Sequence, residues 1–355
     1  MRIPTLILGG TGYVAGELLR LILDHPHFEL CGIVSDSQPG SAAAEAFSHL
    51  APRLGDQSFM DEAGAISLVC KHPRLAILSA APHGVSASLI DRLLNAAHQA
   101  GTQPRVVDIS ADYRYRSPEA YAAVYQHAHG APARLKDFTC ALPEHLAVAP
   151  TPHVAHPGCF ATATLLASVP LLALGLSEPL LFVSGVTGST GSGRKPVAGT
   201  HHPQRHSDLY SYNPLMHRHI PEITECATAA SGVSAEFAFV PHSGPFARGI
   251  HVTVQGSLSS AMRGKLSPQD ALVAIRQYYA DAPFVTVTDN PPRLKDVVAS
   301  NHARLSVATR GNTIAVMCVI DNLTKGAAGG AVQWLNRLFD LPETTGLLAS
   351  APGWT

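Results

Sequence analysis

The sequence predicts an α/β fold in two parts: a doubly wound parallel sheet that binds a dinucleotide, and a second α+β domain of largely antiparallel strands. Three observations predict it. Apolar strands alternate with helical segments through the first 155 residues. A glycine-rich turn, Gly9-Gly10-Thr11-Gly12-Tyr13-Val14-Ala15-Gly16, follows the first apolar strand directly. After Cys159 the pattern changes to a succession of strands with few helices between them.

Thr5-Leu6-Ile7-Leu8 reads as a buried strand, and the turn carries it into a helix over Glu17 to Asp24. The turn has Gly-x-x-Gly-x-x-x-Gly spacing, in which bare backbone lets a pyrophosphate approach a helix N-terminus. A second strand, Glu29 to Val34, ends in Ser35-Asp36-Ser37, where such folds meet the adenosine ribose. Serines suit the 2′-phosphate of NADP and an aspartate the 2′-hydroxyl of NAD, so this segment sends a mixed signal. Leu75 to Ser79 is a third strand, leading through Ala80-Ala81-Pro82-His83-Gly84 to a helix over Val85 to Ala100. Arg105 to Ile109 is a fourth, followed by Ser110-Ala111-Asp112-Tyr113-Arg114. Ligands of such sheets gather at the carboxyl ends of the strands, and Arg114 is the arginine best placed to hold an anion there.

Beyond Cys159 the strands are Leu180 to Val183, Ala235 to Phe239, Ile250 to Val254, Ala303 to Ala308 and Thr313 to Ile320. The one clear helix among them runs from Pro268 to Tyr279, and a final helix over Gly326 to Leu338 returns to the first domain. The expected division is residues 1–155 with 325–355, and residues 156–324. Gly185 to Gly193 and Thr200 to His219 read as long connections, which in compact domains are functional or disordered.

Composition narrows the function. The chain has 355 residues, 46% hydrophobic and 14% charged, with a formal net charge of −1. With no run of like charges, neither a nucleic-acid footprint nor a polybasic membrane patch is expected. The opening Met1 to Leu8 is too short for a signal segment or a membrane span, and six scattered cysteines without a Cys-x-x-Cys pair fit a reducing compartment. A cytoplasmic enzyme is the expectation.

Chemistry centres on His156-Pro157-Gly158-Cys159-Phe160-Ala161-Thr162, which runs into the apolar helical segment Ala163 to Leu174, strained at Pro170. Cys159 therefore falls in the first turn of a helix, where unpaired amides and the helix dipole stabilise a thiolate. A buried structural cysteine is the competing reading. A thiolate beside a nicotinamide attacks a carbonyl and separates acyl transfer from hydride transfer. The candidate acid or base is His217, His219 or His242. His201, His202 and His206 lack a recognised ligand framework, so no metal is expected.

The blocks from Gly9 to Gly16, Ser110 to Arg114, His156 to Thr162, His217-Arg218-His219-Ile220-Pro221-Glu222-Ile223 and Asp321 to Gln333 occur in one order across nearly the whole chain. Together they resemble N-acetyl-gamma-glutamyl-phosphate reductase, within the semialdehyde dehydrogenases. The resemblance implies NADPH-dependent reductive dephosphorylation of N-acetyl-gamma-glutamyl phosphate to N-acetylglutamate semialdehyde, a step of arginine biosynthesis. It makes Cys159 the nucleophile that forms a thioacyl enzyme, and His219, with His217 close behind, the proton carrier. It gives Arg114 the substrate phosphate and Arg218, Glu222 and Ser184 the rest of the substrate. It places the cofactor against Gly9, Thr11, Gly12, Tyr13, Val14, Ser35, Ser37, Pro82, Gly188 and Asn322, with a loop from Ser184 to Lys195 closing over it. A homodimer or homotetramer is implied.

Two departures from the family pattern matter. Asp36 stands where the family commonly has an arginine, which keeps NAD open beside NADP. The glycine-rich loop over Gly185 to Gly193 is longer than usual, which keeps succinyl, aminoadipyl and aspartyl substrates open. A non-catalytic dinucleotide-binding regulator and a zinc hydrolase are the readings from other classes.

Overall fold

The computed structural model describes residues 2–354. The chain forms two compact units: Met1–Ala141, Val148–Pro157 and Ala327–Leu347 make the first, and Leu142–Ala147, Gly158–Gly326 and Leu348–Thr355 the second. Residues 142–147, 325–326 and 348–355, expected in the first domain, thus group with the second, and 156–157, expected in the second, with the first. Interactions within that second unit account for 142–147: Glu144 pairs with Lys325, both side chains almost wholly buried, and His145 lies 2.9 Å from the Tyr279 hydroxyl.

The first unit is a six-stranded parallel sheet. Its strands are β1 (Ile3–Leu8), β2 (Phe28–Val34), β3 (Ala76–Ser79), β4 (Arg105–Asp108), β5 (Phe138–Cys140) and β6 (His153–Ala155), in the order β2-β1-β3-β4-β6-β5. Leu6, Leu8, Ile77 and Val106 from the sheet bury against Leu89, Ile90, Leu93 and Leu94 of the helix Ser86–Ala100. Those four leucines and isoleucines recur at helical spacing, so one face of the helix is apolar. β5 and β6 were not expected; three residues each carry no legible period. The first helix spans Tyr13–Leu23, four residues earlier than the sequence suggests. Gly16, read as part of the turn, is already helical, and its missing side chain leaves room for Phe47, whose Cε1 lies 2.8 Å from where a Cβ would stand.

The second unit is a seven-stranded sheet with helices. The strands are β7 (Ser177–Thr187), β8 (Tyr210–Ser211), β9 (Glu236–Ser243), β10 (Ile250–Leu258), β11 (Val285–Val287), β12 (Ala303–Arg310) and β13 (Thr313–Ile320). Their order is β11-β12-β13-β10-β7-β9-β8, parallel at β7/β9 and β11/β12 and antiparallel elsewhere. Three longer helices accompany it, Cys159–Ala173, Ile220–Ser231 and Pro268–Tyr278, besides the single turn His202–Arg205, where the sequence had offered one clear helix after the cysteine helix. Ile220–Ser231 is harder to read because Pro221 opens it in the first turn, a position proline favours, directly behind a histidine-rich connection. Every residue from Phe160 to Leu172 is buried, as expected of a helix apolar on all sides. Pro170 leaves that helix continuous. The supposed loop from Ser184 begins as strand: Ser184 to Thr187 complete β7, and only from Gly188 does the chain turn. Gly185 belongs in that strand because Phe160 and Phe239 close over it, with Phe160 Cε1 2.5 Å from a Cβ position.

Candidate active site

In the first unit the glycine-rich turn is shaped by close approach. Gly9 has φ +76°, and a Cβ there would stand 2.4 Å from the amide nitrogen of Ala81. Gly10 donates its N–H to the Val34 carbonyl at 2.8 Å, tying the turn to the end of β2. Gly12 caps the helix Tyr13–Leu23 with no side-chain bond, and nothing lies within 4 Å of its Cβ position. An uncapped helix N-terminus facing open space suits a pyrophosphate, so these residues fit a dinucleotide. Tyr13 is exposed beside it and Val14 half-buried. At the end of β2, Ser35 is buried with its hydroxyl 3.3 Å from that of Ser37, while Asp36 is exposed within the field of the Arg92 guanidinium. Pro82 is exposed and its carbonyl accepts from Val85 and Ser86, starting the next helix.

Two buried aspartates fix the ends of β3 and β4. Asp112 accepts from the N–H groups of Gly84 and Ala87 at 2.8 and 2.9 Å and from the Tyr121 hydroxyl at 2.9 Å. Asp108 accepts from the hydroxyls of Ser110 and Ser86 at 2.6 and 2.8 Å, and burial pushes its carboxyl up to about 6. The Arg114 guanidinium is buried beside them. Its Nε donates to the His156 carbonyl at 3.0 Å and its Nη2 to the Ile109 carbonyl at 2.7 Å, so it braces the backbone three residues ahead of Cys159.

In the second unit Cys159 is the first residue of its helix, behind Gly158 as cap. Glu222 is fully buried and accepts the Gly158 N–H at 2.9 Å through Oε1, which makes it a clamp on the cysteine turn. Gly326 abuts the other side: a Cβ there would stand 2.7 Å from the Cys159 Cβ. His217 and His219 are buried with ring centroids 4.6 Å apart. His217 is walled by Phe160, Phe239 and Tyr212 at 5.7, 5.2 and 5.7 Å. Burial, then the Arg218 charge, pushes His217 down to about 4. Its Nδ1 accepts the His219 N–H at 3.2 Å, so the neutral ring carries its proton on Nε2. Burial first, then the charge of Cys159, raises the Tyr212 hydroxyl, which places this tyrosine in the cysteine's field.

The remaining expected site residues lie on β7, on β9 and in connections between strands. Ser184 is exposed on the face of β7 opposite Gly185, and Gly185 is the residue that meets Phe160 of the cysteine helix. His242 shares the Ser184 face, since Val240 pairs with Ser184 and His242 with Val186, and its Nδ1 lies 3.2 Å from the Gly185 carbonyl. Gly188 is explained by packing, because a Cβ there would stand 2.5 Å from the Ala247 carbonyl oxygen. Asn322 is buried with both amide ends engaged, Oδ1 accepting from the Gly249 N–H at 2.7 Å and Nδ2 donating to the Thr190 hydroxyl at 3.0 Å. It pins the turn after β7 to the start of β10. Arg218 is exposed between the two buried histidines. Among the described residues no group of three His, Cys, Asp or Glu side chains could hold a metal ion, and no helix is long and apolar enough to cross a membrane.

Comparison with known proteins follows this division. Residues 5–149 match the semialdehyde dehydrogenase NAD-binding domain and residues 159–322 the semialdehyde dehydrogenase dimerisation domain. The chain is 34% identical over 358 residues to an N-acetyl-gamma-glutamyl-phosphate reductase of Rhodopirellula baltica, covering 96% of this chain and 97% of that one. It is 36% identical over 349 residues to the reductase of that name from Pseudomonas putida, covering 96% of each. The chain belongs to the N-acetyl-gamma-glutamyl-phosphate reductase family. In fold it is similar to aspartate semialdehyde dehydrogenase II of Vibrio cholerae, with a TM-score of 0.69 at 14% identity, covering 96% of this chain and 99% of that one. An aspartate semialdehyde dehydrogenase from Candida albicans, solved with NADP, has a TM-score of 0.66 at 14% identity and the same coverage.

Within this reductase family chain, Glu144, Lys325, Tyr212, Tyr279 and Arg205 went unnoticed in the sequence. Lys325 stands inside a block that was legible, but nothing in its neighbours announces a buried lysine. Tyr212 and Arg205 lie in the histidine-rich connection, whose irregular backbone has no period to follow.

Proposed function

We propose that this protein catalyses the NADPH-dependent reduction of N-acetyl-gamma-glutamyl phosphate to N-acetyl-L-glutamate 5-semialdehyde and phosphate, in arginine biosynthesis. The observation that carries the reading is Cys159 at the first position of its helix, clamped by Glu222 and grouped in one unit with His217 and His219. The thiolate attacks the γ-carbonyl, the carbonyl electrons move onto oxygen, and collapse forms the thioester while the bond to phosphate breaks. When bound, the nicotinamide supplies the hydride that reduces this thioester. Backbone N–H groups of the first helical turn, with the Nε2–H of neutral His217, stabilise the negative oxygen. His219 is the proton carrier in this reading, since burial holds its neighbour His217 neutral down to about pH 4. Arg114, fixed in advance by two carbonyls, holds the phosphate, and exposed Arg218 meets the incoming anion. Glu222 acts by holding the cysteine turn.

NADP is the proposed cofactor: Ser35 and Ser37 at the end of β2 suit a 2′-phosphate. The active form is a homodimer or homotetramer in the cytoplasm, built on the second unit. The test is NADPH oxidation with N-acetyl-gamma-glutamyl, N-succinyl-glutamyl, aminoadipyl and aspartyl phosphates. The proposal expects kcat/KM for the N-acetyl-gamma-glutamyl compound to lead by about 10²-fold or more; a lead by aspartyl phosphate contradicts it.

A further inference from the structure

One guanidinium in the second unit keeps its best binding edge unused. Arg205 closes the short helix His202–Arg205 and is only 7% exposed. Its Nη1 donates to the Asp208 carbonyl at 2.8 Å, and its guanidinium lies over the Tyr210 ring, 5.9 Å from the centroid. Its Nε and Nη2 are buried and meet no acceptor among the described residues. These two nitrogens form the edge whose parallel N–H bonds match the two oxygens of a carboxylate. A buried cation without an anionic partner is costly and rare, so a fork held in this state marks a receptor for a ligand's oxyanion.

The surroundings connect this fork to the reacting thiol. Tyr210 and Tyr212 project from the same side of a strand that pairs with β9, since the Tyr212 N–H continues the ladder by donating to the Pro241 carbonyl. Tyr212 in turn faces His217 and lies in the field of Cys159. Arg205, Tyr210, Tyr212 and His217 thus follow one another along one wall, with the fork at one end and Tyr212 and His217 at the other. An N-acylated amino-acid acyl phosphate has one anionic group that never reacts, the α-carboxylate at the far end of its carbon chain.

We propose that Arg205, through Nε and Nη2, binds the α-carboxylate of the substrate and so selects an N-acylated amino acid over simpler acyl phosphates. The inference rests on the acyl-phosphate reductase reading above and deepens it. The fork makes its bonds to a group that does not change during the reaction, so its contribution is to ground state and transition state alike, and falls on KM rather than kcat.

The test compares wild type, Arg205→Met and Arg205→Lys in the direction of NADP reduction, with N-acetylglutamate semialdehyde and with its α-carboxamide analogue. The expected result is a KM for the semialdehyde raised about 10²-fold in Arg205→Met, with kcat within a few-fold and KM for phosphate and NADP unchanged. The carboxamide analogue is expected to have the same KM in wild type and variant. Arg205→Lys recovers part of the affinity, since an ammonium supplies charge without the fork. Free Arg205→Met protein is expected to melt no lower than wild type, because an unpartnered buried charge has been removed. An unchanged semialdehyde KM overturns the proposal. So does a rise confined to NADP or phosphate, which assigns the fork to a phosphate, and so does dissociation into monomers, which assigns it to a carboxylate of a second copy. If Arg205→Met does not fold, the Arg205→Lys comparison decides on the same criteria. Calorimetric titration of N-acetyl-L-glutamate and its α-amide separates the two readings if the wild type turns nothing over. Binding of the acid alone, lost in the variant, keeps the fork while the enzyme reading fails; equal binding of acid and amide overturns the fork.

Discussion

The hydroxyl of Tyr279 donates to the carbonyl of Leu166 at 2.8 Å, and that carbonyl is the one Pro170 cannot serve, since proline has no N–H for the residue four positions earlier. The tyrosine, from the end of another helical segment, completes the hydrogen bonding of the cysteine helix in its middle. His145 Nε2 lies 2.9 Å from the same hydroxyl; with the phenol proton given to Leu166, the histidine is the donor. A proline that the sequence marks as strain is thereby accommodated in a helix that runs unbroken from Cys159 to Ala173.

Tyr279→Phe is expected to destabilise the protein by about 1–3 kcal/mol, because a buried carbonyl loses a strong donor. In a Pro170→Ala background the alanine N–H serves Leu166, and the same tyrosine change costs less by about 1 kcal/mol. Urea denaturation of the four proteins in the cycle measures the coupling.

Acid sensitivity follows from three buried histidines. Burial drives His145, His153 and His217 down to about 4, against an ordinary 6.5. Between those values the unfolded chain binds a proton at each that the folded chain refuses. Stability is therefore full above pH 6.5 and is lost as pH falls toward 4, by about 1.4 kcal/mol per pH unit for each histidine. Asp108, pushed up to about 6, opposes this below pH 6 by holding a proton in the folded state. Three histidines against one aspartate leave a net slope of about two histidines below pH 6. Denaturation at pH 7, 6 and 5 is expected to show it, and His153→Gln to reduce it by about half below pH 6.

The two active-site histidines are expected to separate kinetically. His219→Asn removes the proton carrier and lowers kcat by about 10²–10⁴-fold. His217→Asn lowers the rate less and leaves the shape of the profile intact, because a residue that is neutral above about pH 4 does not set it. Initial rates from pH 5.5 to 9 distinguish them.

Cofactor choice turns on Asp36. Its carboxylate is exposed just after β2, the strand end at which folds of this class meet the adenosine ribose, and Asp36→Ser is expected to raise the NADP:NAD ratio of kcat/KM by about tenfold. An unchanged ratio would mean that the carboxylate points away from the ribose in the complex.

Legibility in the sequence followed periodicity and chemistry. Gly9 to Gly16, the alternation of strand and helix, and Cys159 at a helix start were readable because each is a local pattern with a local cause. What escaped reading was set by partners distant in the chain. Gly188 has a packing reason in the Ala247 carbonyl set against it, and Asn322 a structural one in its bonds to Gly249 and Thr190, and neither partner is announced locally. The faces on which Ser184 and His242 emerge depend on where β7 begins, and the glycines disguised that start. Lys325 and Glu144 lie 181 residues apart, so neither announces the other.

The central claim is that Cys159 carries an acyl group between phosphate and nicotinamide. Its most direct measurement is reduction of NADP, and of NAD in parallel, by N-acetylglutamate semialdehyde with and without phosphate, for wild type and Cys159→Ser. The account predicts phosphate-dependent reduction by the wild type, favouring NADP, and a loss of at least about 10³-fold in the serine variant, whose hydroxyl is a far weaker nucleophile. Phosphate-dependent turnover that survives in Cys159→Ser would contradict it.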